Sequence, residues 1–316
     1  MIEHRTLLVL GAGASVTYGF PLGHDLLAQL CSMADTNPQP YVGQMAELGH
    51  PHEGLTNFCK ALLGSGLPSV DAFLARHTHS NFNEIARLAI ASCIDRCERL
   101  LPAEKLPKAD DWYRHLWLRM QANVDHIHTF VASIENIRIV TFNYDRSLEY
   151  FLHRGIQNSF GTDGEQAQEA LAQIPIMHVY GQLAPYHYCD RLPGRSFWSS
   201  STAASLKLAA DGIKVIEQTR QGDQDFETAR EWFKWAEKTC FIGFSFDEFN
   251  TRRLGFKAIL DSLEKEKKGY GQVFASTYGM TTTEVHKALL RTLGARSWET
   301  HGKQSLEFLR NIDVLY

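Results

Sequence analysis

The chain has 316 residues, of which 44% are hydrophobic and 22% charged, and its formal net charge is −4 at pH 7. This composition is that of an ordinary globular protein with a sizeable core. The near balance of charge excludes a surface that is basic as a whole, so the composition gives no direct signal of nucleic-acid binding. Since no apolar run approaches the roughly 20 residues that cross a bilayer, we expect a cytoplasmic protein with no membrane partner.

The cysteines give no sign of a metal centre. None of the six stands at CxxC spacing from another, which argues against a zinc ribbon and against a thioredoxin-type site; they are Cys31, Cys59, Cys93, Cys97, Cys189 and Cys240. We therefore expect reduced thiols and no zinc.

The first predicted strand is the apolar run Leu7–Leu10, which leads into the glycine turn Gly11-Ala12-Gly13-Ala14-Ser15. A buried strand that ends in glycines and continues into a helix is typical of a phosphate-binding turn. The full GxGxxG fingerprint is missing, because Val16 stands three positions after Gly13. A tight strand-to-helix turn without a ligand is the alternative interpretation.

The next hundred residues carry helical patterns only. After a predicted helix over Asp25–Met33, the chain breaks near residues 37–40, and apolar residues then recur at threes and fours over Asn81–Leu101 and Asp110–Ile134. We predict an all-helical insert subdomain over residues 35–134, and a second domain composed of residues 1–34 and 135–316.

Strand patterns return after the insert and alternate with helical ones. The predicted strands are Ile137–Phe142, Ile174–Val179, Ile213–Ile216, Thr239–Ile242 and Gln272–Ser276; the predicted helices are Ser147–Arg154, Phe226–Lys238 and Glu248–Glu264. This alternation predicts an α/β fold with a mainly parallel sheet flanked by helices. Ligands of such sheets bind beyond the carboxyl ends of the strands, so the chemistry is sought there.

Polar residues follow three of these strands. Asn143 and Asp145 come after the second strand, where Asp145 either caps the next helix or joins Asn143 in holding a ribose and a water molecule. His178 and Tyr180 stand two apart on a segment predicted to be extended, so we expect both side chains on one face. A hydrogen-bonded structural histidine is the plainer interpretation of His178.

A second glycine turn follows the predicted strand Thr239–Ile242. It runs from Gly243 through Ser245 to Asp247, and the plain interpretation of Asp247 is a helix cap.

Taken in order, the motifs GAGAS with GFPLG, TFNYD, HVYG and GFSF resemble the sirtuin NAD-binding fold, in its bacterial branch that does not deacetylate. The resemblance implies a Rossmann-like sheet and NAD as the substrate. It implies the catalytic residues Asn143, Asp145 and His178 or Tyr180, and NAD contacts from Gly11, Ala12, Gly13, Ser15, Pro21, Thr141, Gly181, Gly243 and Ser245.

Two departures from the family narrow the expected activity. The zinc module is absent, and Leu22-Gly23 follow Pro21 where protein deacylases carry Phe-Arg. At the family's His-Gly pair, Tyr180 precedes Gly181 where the family has histidine. We assign the base to His178, two residues earlier, with Tyr180 as the alternative. The resemblance thus implies an NAD hydrolase that makes nicotinamide and ADP-ribose, rather than a deacylase.

The family context also suggests a purpose and partners. Proteins of this branch often deplete NAD in antiphage defence, so we expect a homo-oligomer or an activating partner such as a HerA-type hexameric ATPase. Two alternatives stay open, namely a regulatory module that binds NAD or ADP-ribose without turnover, and an NAD-dependent ADP-ribosyltransferase or deacylase. A dehydrogenase is less favoured because the full fingerprint is missing.

Overall fold

The computed structural model describes residues 2–36, 40–67, 69–74, 76–77, 82–101, 110–199, 201–214, 223–294, 296–312 and 314–315. Within them a single sheet has six strands, all parallel, in the order β3-β2-β1-β4-β5-β6. The strands are β1 Thr6–Leu10, β2 Ile137–Thr141, β3 Ile176–His178, β4 Lys238–Ile242, β5 Gln272–Ser276 and β6 Glu299–His301.

Helices flank this sheet and complete the α/β fold that the alternation predicts. They are α1 Gly23–Thr36, α2 Tyr41–Glu47, α3 His52–Gly64, α4 Val70–Leu74, α5 Phe82–Leu100, α6 Trp112–Met120, α7 Ile127–Ser133, α8 Ser147–Phe160, α9 Gly164–Leu171, α10 Ala203–Asp211, α11 Gln224–Trp235, α12 Glu248–Leu254, α13 Phe256–Lys265, α14 Thr282–Leu293 and α15 Ser305–Asn311. No helix among the described residues has the length and apolar character that a membrane span needs.

The central strands are buried on both faces. Every residue of β1 and of β4 is buried, and successive residues of a strand point to opposite faces, so both faces must be covered. β1 pairs with β2 on one side and with β4 on the other, and Leu8 lies level with Ile139 and with Cys240. The strand order therefore reverses beside β1, which is where ligands of open parallel sheets bind.

Five of the six predicted strands are confirmed, and Ile213–Ile216 is wrong for its described part. Ile213 makes only an isolated antiparallel bridge to Gly181, next to a hydrogen bond from the Lys214 N–H to the Tyr180 carbonyl. Residues 215 and 216 lie outside the described residues.

Two predicted helices are each divided into two. Asn123, with φ +62°, interrupts the predicted helix Asp110–Ile134 between α6 and α7. Gly255, with φ +68°, ends α12 and separates it from α13. Both residues adopt the left-handed conformation, which asparagine and glycine tolerate best and which a continuous helix does not contain.

The described part of residues 40–134 holds helices and no strand, between β1 and β2. These helices share one hydrophobic core with the sheet, to which Phe58, Leu88 and Trp112 contribute from the insert. The division into two domains stays a prediction. The break expected near residues 37–40 falls mostly on residues outside the description.

Candidate functional site

The glycine turns after β1 and β4 pack against each other, backbone to backbone. The Gly11 N–H donates to the Ile242 carbonyl at 3.0 Å, and the Gly13 N–H donates to the Gly243 carbonyl at 2.9 Å. A Cβ atom on Gly243 would lie 2.0 Å from the Ala14 nitrogen, and one on Gly11 would lie 2.5 Å from the Gly243 oxygen. Only glycine permits this approach.

These contacts change what the turn offers to a phosphate. The N–H groups of Gly11 and Gly13 are already bonded inside the protein, and the Ala14 and Ser15 N–H groups donate to carbonyls of the same turn. The Ala12 N–H is the donor of this turn that suits an anion, whereas the buried Ser15 hydroxyl already hydrogen-bonds the Asp145 carboxylate and accepts from Asn143. Gly11, Gly13 and Gly243 thus have an observed role in packing, and their contact with NAD stays a prediction.

Asn143 connects the end of β2 to the turn after β1. Its side-chain Nδ2 donates to the Gly11 carbonyl and to the Ser15 Oγ, each at 3.0 Å. Its own backbone N–H donates to the Thr141 hydroxyl at 3.1 Å, which is the contact that the structure gives to predicted site residue Thr141. The Asn143 Oδ1 is buried and has no hydrogen-bond partner among the described residues.

Asp145 lies at the start of α8 and is buried. Its carboxylate accepts hydrogen bonds from the N–H and the hydroxyl of Ser147, two residues on. The N-cap of α8 is Arg146, so the prediction that Asp145 caps this helix is wrong, and Asp145 instead closes the turn that precedes it. Burial raises the pKa of Asp145, while hydrogen bonds from Ser147 and Ser15 oppose that rise. The Ser147 hydroxyl also shares a 2.8 Å hydrogen bond with the Tyr113 hydroxyl.

His178, the last residue of β3, is held at both ring nitrogens. Nδ1 lies 2.8 Å from the Asn143 carbonyl oxygen and Nε2 lies 2.6 Å from the Glu149 Oε1. Burial lowers the pKa of His178, but the Glu149 carboxylate and the Asn143 carbonyl outweigh it, and the pKa is raised overall. An imidazolium donates at both nitrogens, which is what these two acceptors require.

The side chains of Tyr180 and His178 have different hydrogen-bond partners, and the expectation that both lie on one face is wrong. The strand ends at His178, and Gly181 takes a φ of +71°, so strand alternation stops before Tyr180. The Tyr180 hydroxyl donates to the Asn250 Oδ1 on α12 at 2.5 Å. Burial raises the pKa of Tyr180 well above its ordinary value.

Ser245 belongs to the same surroundings as Tyr180. Its hydroxyl donates to the Asp247 carboxylate at 3.3 Å, and that carboxylate accepts from the Asn250 N–H at 2.9 Å and from the Asn250 side chain at 2.6 Å. The prediction that Asp247 caps a helix is confirmed. Ser245, Asp247, Asn250 and Tyr180 thus form one chain of hydrogen bonds.

The predicted residues Pro21 and Gly181 lie apart from both groups. Pro21 borders an open groove of about 370 Å³ beside the first glycine turn, lined also by Val16, Gly19, Phe20, Asp25, Ala28 and Gln29. A Cβ on Gly181 would lie 2.0 Å from the Gly212 oxygen, so this glycine lets two backbone segments approach each other.

Sequence reasoning missed three polar residues of the site: Glu149, Tyr113 and Asp71. Tyr113 comes from the insert, as does Asp71, whose Oδ1 accepts from the Tyr144 hydroxyl at 3.3 Å. Burial raises the pKa of Asp71 to about 6. Glu149 stands two residues beyond the start of a predicted helix, and the pairing of a buried carboxylate with a histidine in the next strand carries no local sequence signal.

The His178–Glu149 pair predicts a pH-dependent stability. Because the folded pKa of His178 lies above its ordinary 6.5, the stabilisation is full below about pH 6.5 and is lost as the pH rises through the folded pKa. At pH 6, Glu149→Gln is expected to lower the free energy of unfolding by about 3 kcal/mol, with a smaller difference from wild type at pH 9. Urea unfolding at both values measures this.

The matched control for this measurement is Glu231→Gln, which removes an exposed carboxylate paired with Lys234. It is expected to change the free energy of unfolding by about 0.5 kcal/mol or less at either pH. If Glu149→Gln lowers the free energy of unfolding by the same amount at pH 6 and at pH 9, His178 is not charged in the folded protein.

Comparison with models of known protein families found no match, and none of the curated proteins matched the chain.

Proposed function

We propose that this chain hydrolyses NAD at the bond between nicotinamide and ribose, giving nicotinamide and ADP-ribose. The observation that carries the proposal is Asn143, whose amide joins the turn after β1 to the end of β2 while its buried Oδ1 lacks a partner among the described residues. Leaving a buried acceptor unpaired costs about 1–3 kcal/mol, so the atom suits a donor that arrives with substrate. An attacking water molecule is such a donor.

The resemblance to sirtuin-like proteins supports NAD as the substrate. Four of its motifs follow β1, β2, β3 and β4 in the structure, at the carboxyl edge where parallel sheets bind ligands. In the proposal the Ala12 N–H binds the pyrophosphate together with the Ser15 hydroxyl, which turns from Asp145 to do so. The exposed Ser245 meets the adenosine side. The groove beside Pro21 is large enough, at about 370 Å³, for part of the dinucleotide.

The reaction requires little covalent chemistry from the protein. The nicotinamide ring of NAD is cationic, so the electron pair of the broken C–N bond neutralises the leaving group. Water then adds to the anomeric carbon and gives up a proton. The protein has to orient the water, which we assign to Asn143, and to stabilise positive charge on the ribose, which we assign to Asp145.

His178 and Tyr180 are the two candidates for the proton acceptor. His178 is charged and donates at both nitrogens, so it can accept a proton only after it has first given one up, and the Glu149 carboxylate is the acceptor within reach. Tyr180 carries a proton that its raised pKa holds firmly. If His178 is the base, His178→Ala removes activity and Tyr180→Phe keeps it. The reverse result moves the assignment to Tyr180.

The biological role that we propose is NAD depletion in antiphage defence in the cytoplasm. An enzyme that destroys an essential cofactor needs restraint, which homo-oligomer assembly or a partner such as a HerA-type hexameric ATPase provides in this proposal. The Leu22-Gly23 pair after Pro21 favours hydrolysis over protein deacylation.

An incubation with NAD labelled in its ADP-ribose half tests the reaction class. We expect the label in free ADP-ribose, with one nicotinamide released for each. Label on the protein instead indicates an ADP-ribosyltransferase. Label recovered as intact, bound NAD indicates a binding module without turnover, and either of these results overturns the hydrolase.

A further inference from the structure

A buried ion pair connects the helical insert to the turn that carries Asn143 and Asp145. Arg146, fully buried, donates from Nε to the Glu98 Oε1 at 3.1 Å and from Nη2 to the Glu98 Oε2 at 2.5 Å. Glu98 lies in the last turns of α5 and is also fully buried. A guanidinium that binds both oxygens of a carboxylate is fixed in direction as well as in position.

Arg146 also fixes a loop that follows β3. Its Nη1 donates to the Arg195 carbonyl at 2.6 Å and its Nη2 donates to the Ser196 carbonyl at 3.2 Å. With Glu98 on one side and these carbonyls on the other, the Arg146 side chain is held in place from two elements. Arg146 is itself the N-cap residue of α8, between Asp145 and Ser147, where α8 begins.

A second carboxylate of α5, Asp95, holds the same loop, and the structure gives its side chain no hydrogen bond to Arg146. The two carboxylates share Arg195, whose Nη1 lies 3.7 Å from the Glu98 Oε2. Asp95, one turn before Glu98 on α5, pairs with Arg195 and with Arg99, the latter at 2.7 Å. Arg99 in turn donates to the Ser199 carbonyl at 2.6 Å. The helix α5 therefore offers two buried carboxylates of similar burial, of which Glu98 alone reaches the residue next to Asp145.

The burial of these charges argues for a positioning role. Burial raises the pKa of Glu98, and the guanidinium groups of Arg146 and Arg195 oppose that shift. Buried ion pairs stabilise proteins no better than apolar side chains of similar volume, because desolvation cancels much of the attraction. What the pair does supply is a fixed geometry at the turn, since breaking it leaves an unpaired buried charge beside Asp145.

We propose that Glu98 is a positioning residue for the candidate NAD site, and that through Arg146 it holds the Asn143–Asp145 turn in the orientation that catalysis needs. The proposal rests on the proposed function for its kinetic consequences. It gives the insert a defined task, because a displacement of α5 then changes the turn directly. Glu98 acts through Arg146 and touches no substrate.

The test compares Glu98→Gln with Asp95→Asn in the full chain. Both variants neutralise a buried carboxylate of α5. We expect both to lower the urea concentration at the midpoint of unfolding by a similar amount. Glu98→Gln is expected to lower kcat for nicotinamide release by about 10- to 100-fold with KM within about twofold of wild type, because the geometry of attack is lost. Asp95→Asn is expected to keep kcat within about twofold.

A second variant and a second readout keep the test decisive. Arg146→Lys retains the charge but loses the two-point contact, and is expected to reproduce the kcat loss. Hydrogen exchange of peptides over residues 141–152 is expected to rise about tenfold in Glu98→Gln, whereas Asp95→Asn raises exchange only over residues 185–199. The exchange readout does not require NAD cleavage.

The outcomes separate the two proposals. If the wild type releases no nicotinamide, the proposed function fails, and the exchange pattern alone decides on Glu98. If the wild type is active but Glu98→Gln and Asp95→Asn lose kcat equally, or if exchange over residues 141–152 stays at the wild-type level in Glu98→Gln, the positioning role is overturned.

Discussion

Replacing Gly243 by alanine is expected to destabilise the fold by on the order of 4 kcal/mol or more, which places it among the most damaging single substitutions in the chain. Gly243 has a φ of +59°, and its added Cβ would lie 2.0 Å from the Ala14 nitrogen and 2.6 Å from the Gly13 Cα. All of these are backbone atoms, so no side-chain rotation relieves the overlap. The turns after β1 and β4 must separate instead.

Gly19→Ala is the matched control, because it isolates the cost of backbone conformation. Gly19 also has a positive φ, +88°, but an added Cβ meets no atom within 4 Å. It is expected to cost about 1–2 kcal/mol, which is the strain of the left-handed conformation alone. Urea unfolding of both variants measures the difference, and equal losses contradict the proposed close packing of the two turns.

The strands that sequence predicts correctly are the buried ones. The continuous apolar run Leu7–Leu10 predicts a strand covered on both faces, and β1 is that strand at the centre of the sheet. By contrast β6, Glu299–His301, carries no apolar residue, and among the described strands it pairs with β5 alone. A polar edge strand of this kind forms because it hydrogen-bonds to the neighbouring strand, so its local sequence pattern does not predict it.

The candidate site shows the same division. Positions are predictable, because Asn143, His178 and Ser245 come at or after strand ends as the alternation requires. Their partners are not predictable, because they come from other elements of the chain. Glu149 bonds the Nε2 of His178, the nitrogen that a free base would need. The N–H groups of Gly11 and Gly13 donate to Ile242 and Gly243 and are therefore not available to a phosphate. Spacing gives no information about such contacts.

The insert was the least predictable part. Periodicity predicts its helices, but not that Glu98 reaches the residue after Asp145, or that Trp112 donates its indole N–H to the Ala14 carbonyl at 2.7 Å. Both contacts depend on how the insert packs on the sheet. Long-range packing, and not helix propensity, decides which of its polar residues meet the site.

Asn143→Ala is expected to lower the rate of nicotinamide release by about 100-fold or more while the protein stays folded. The substitution removes the amide that bonds the Gly11 carbonyl and Ser15, and with it the unpaired Oδ1 that we assign to the attacking water. Asn158→Ala is the matched control, since Asn158 is an exposed asparagine on α8 whose amide bonds only the Arg154 carbonyl among the described residues. It is expected to retain wild-type activity.

NAD hydrolysis at Asn143 is tested by measuring nicotinamide release from NAD by the purified wild-type chain and by Asn143→Ala at equal folded concentration. We predict catalytic release by wild type and by Asn158→Ala, and release at least about 100-fold slower by Asn143→Ala. Equal release by wild type and Asn143→Ala, or no release by the wild type under any assembly state, contradicts it.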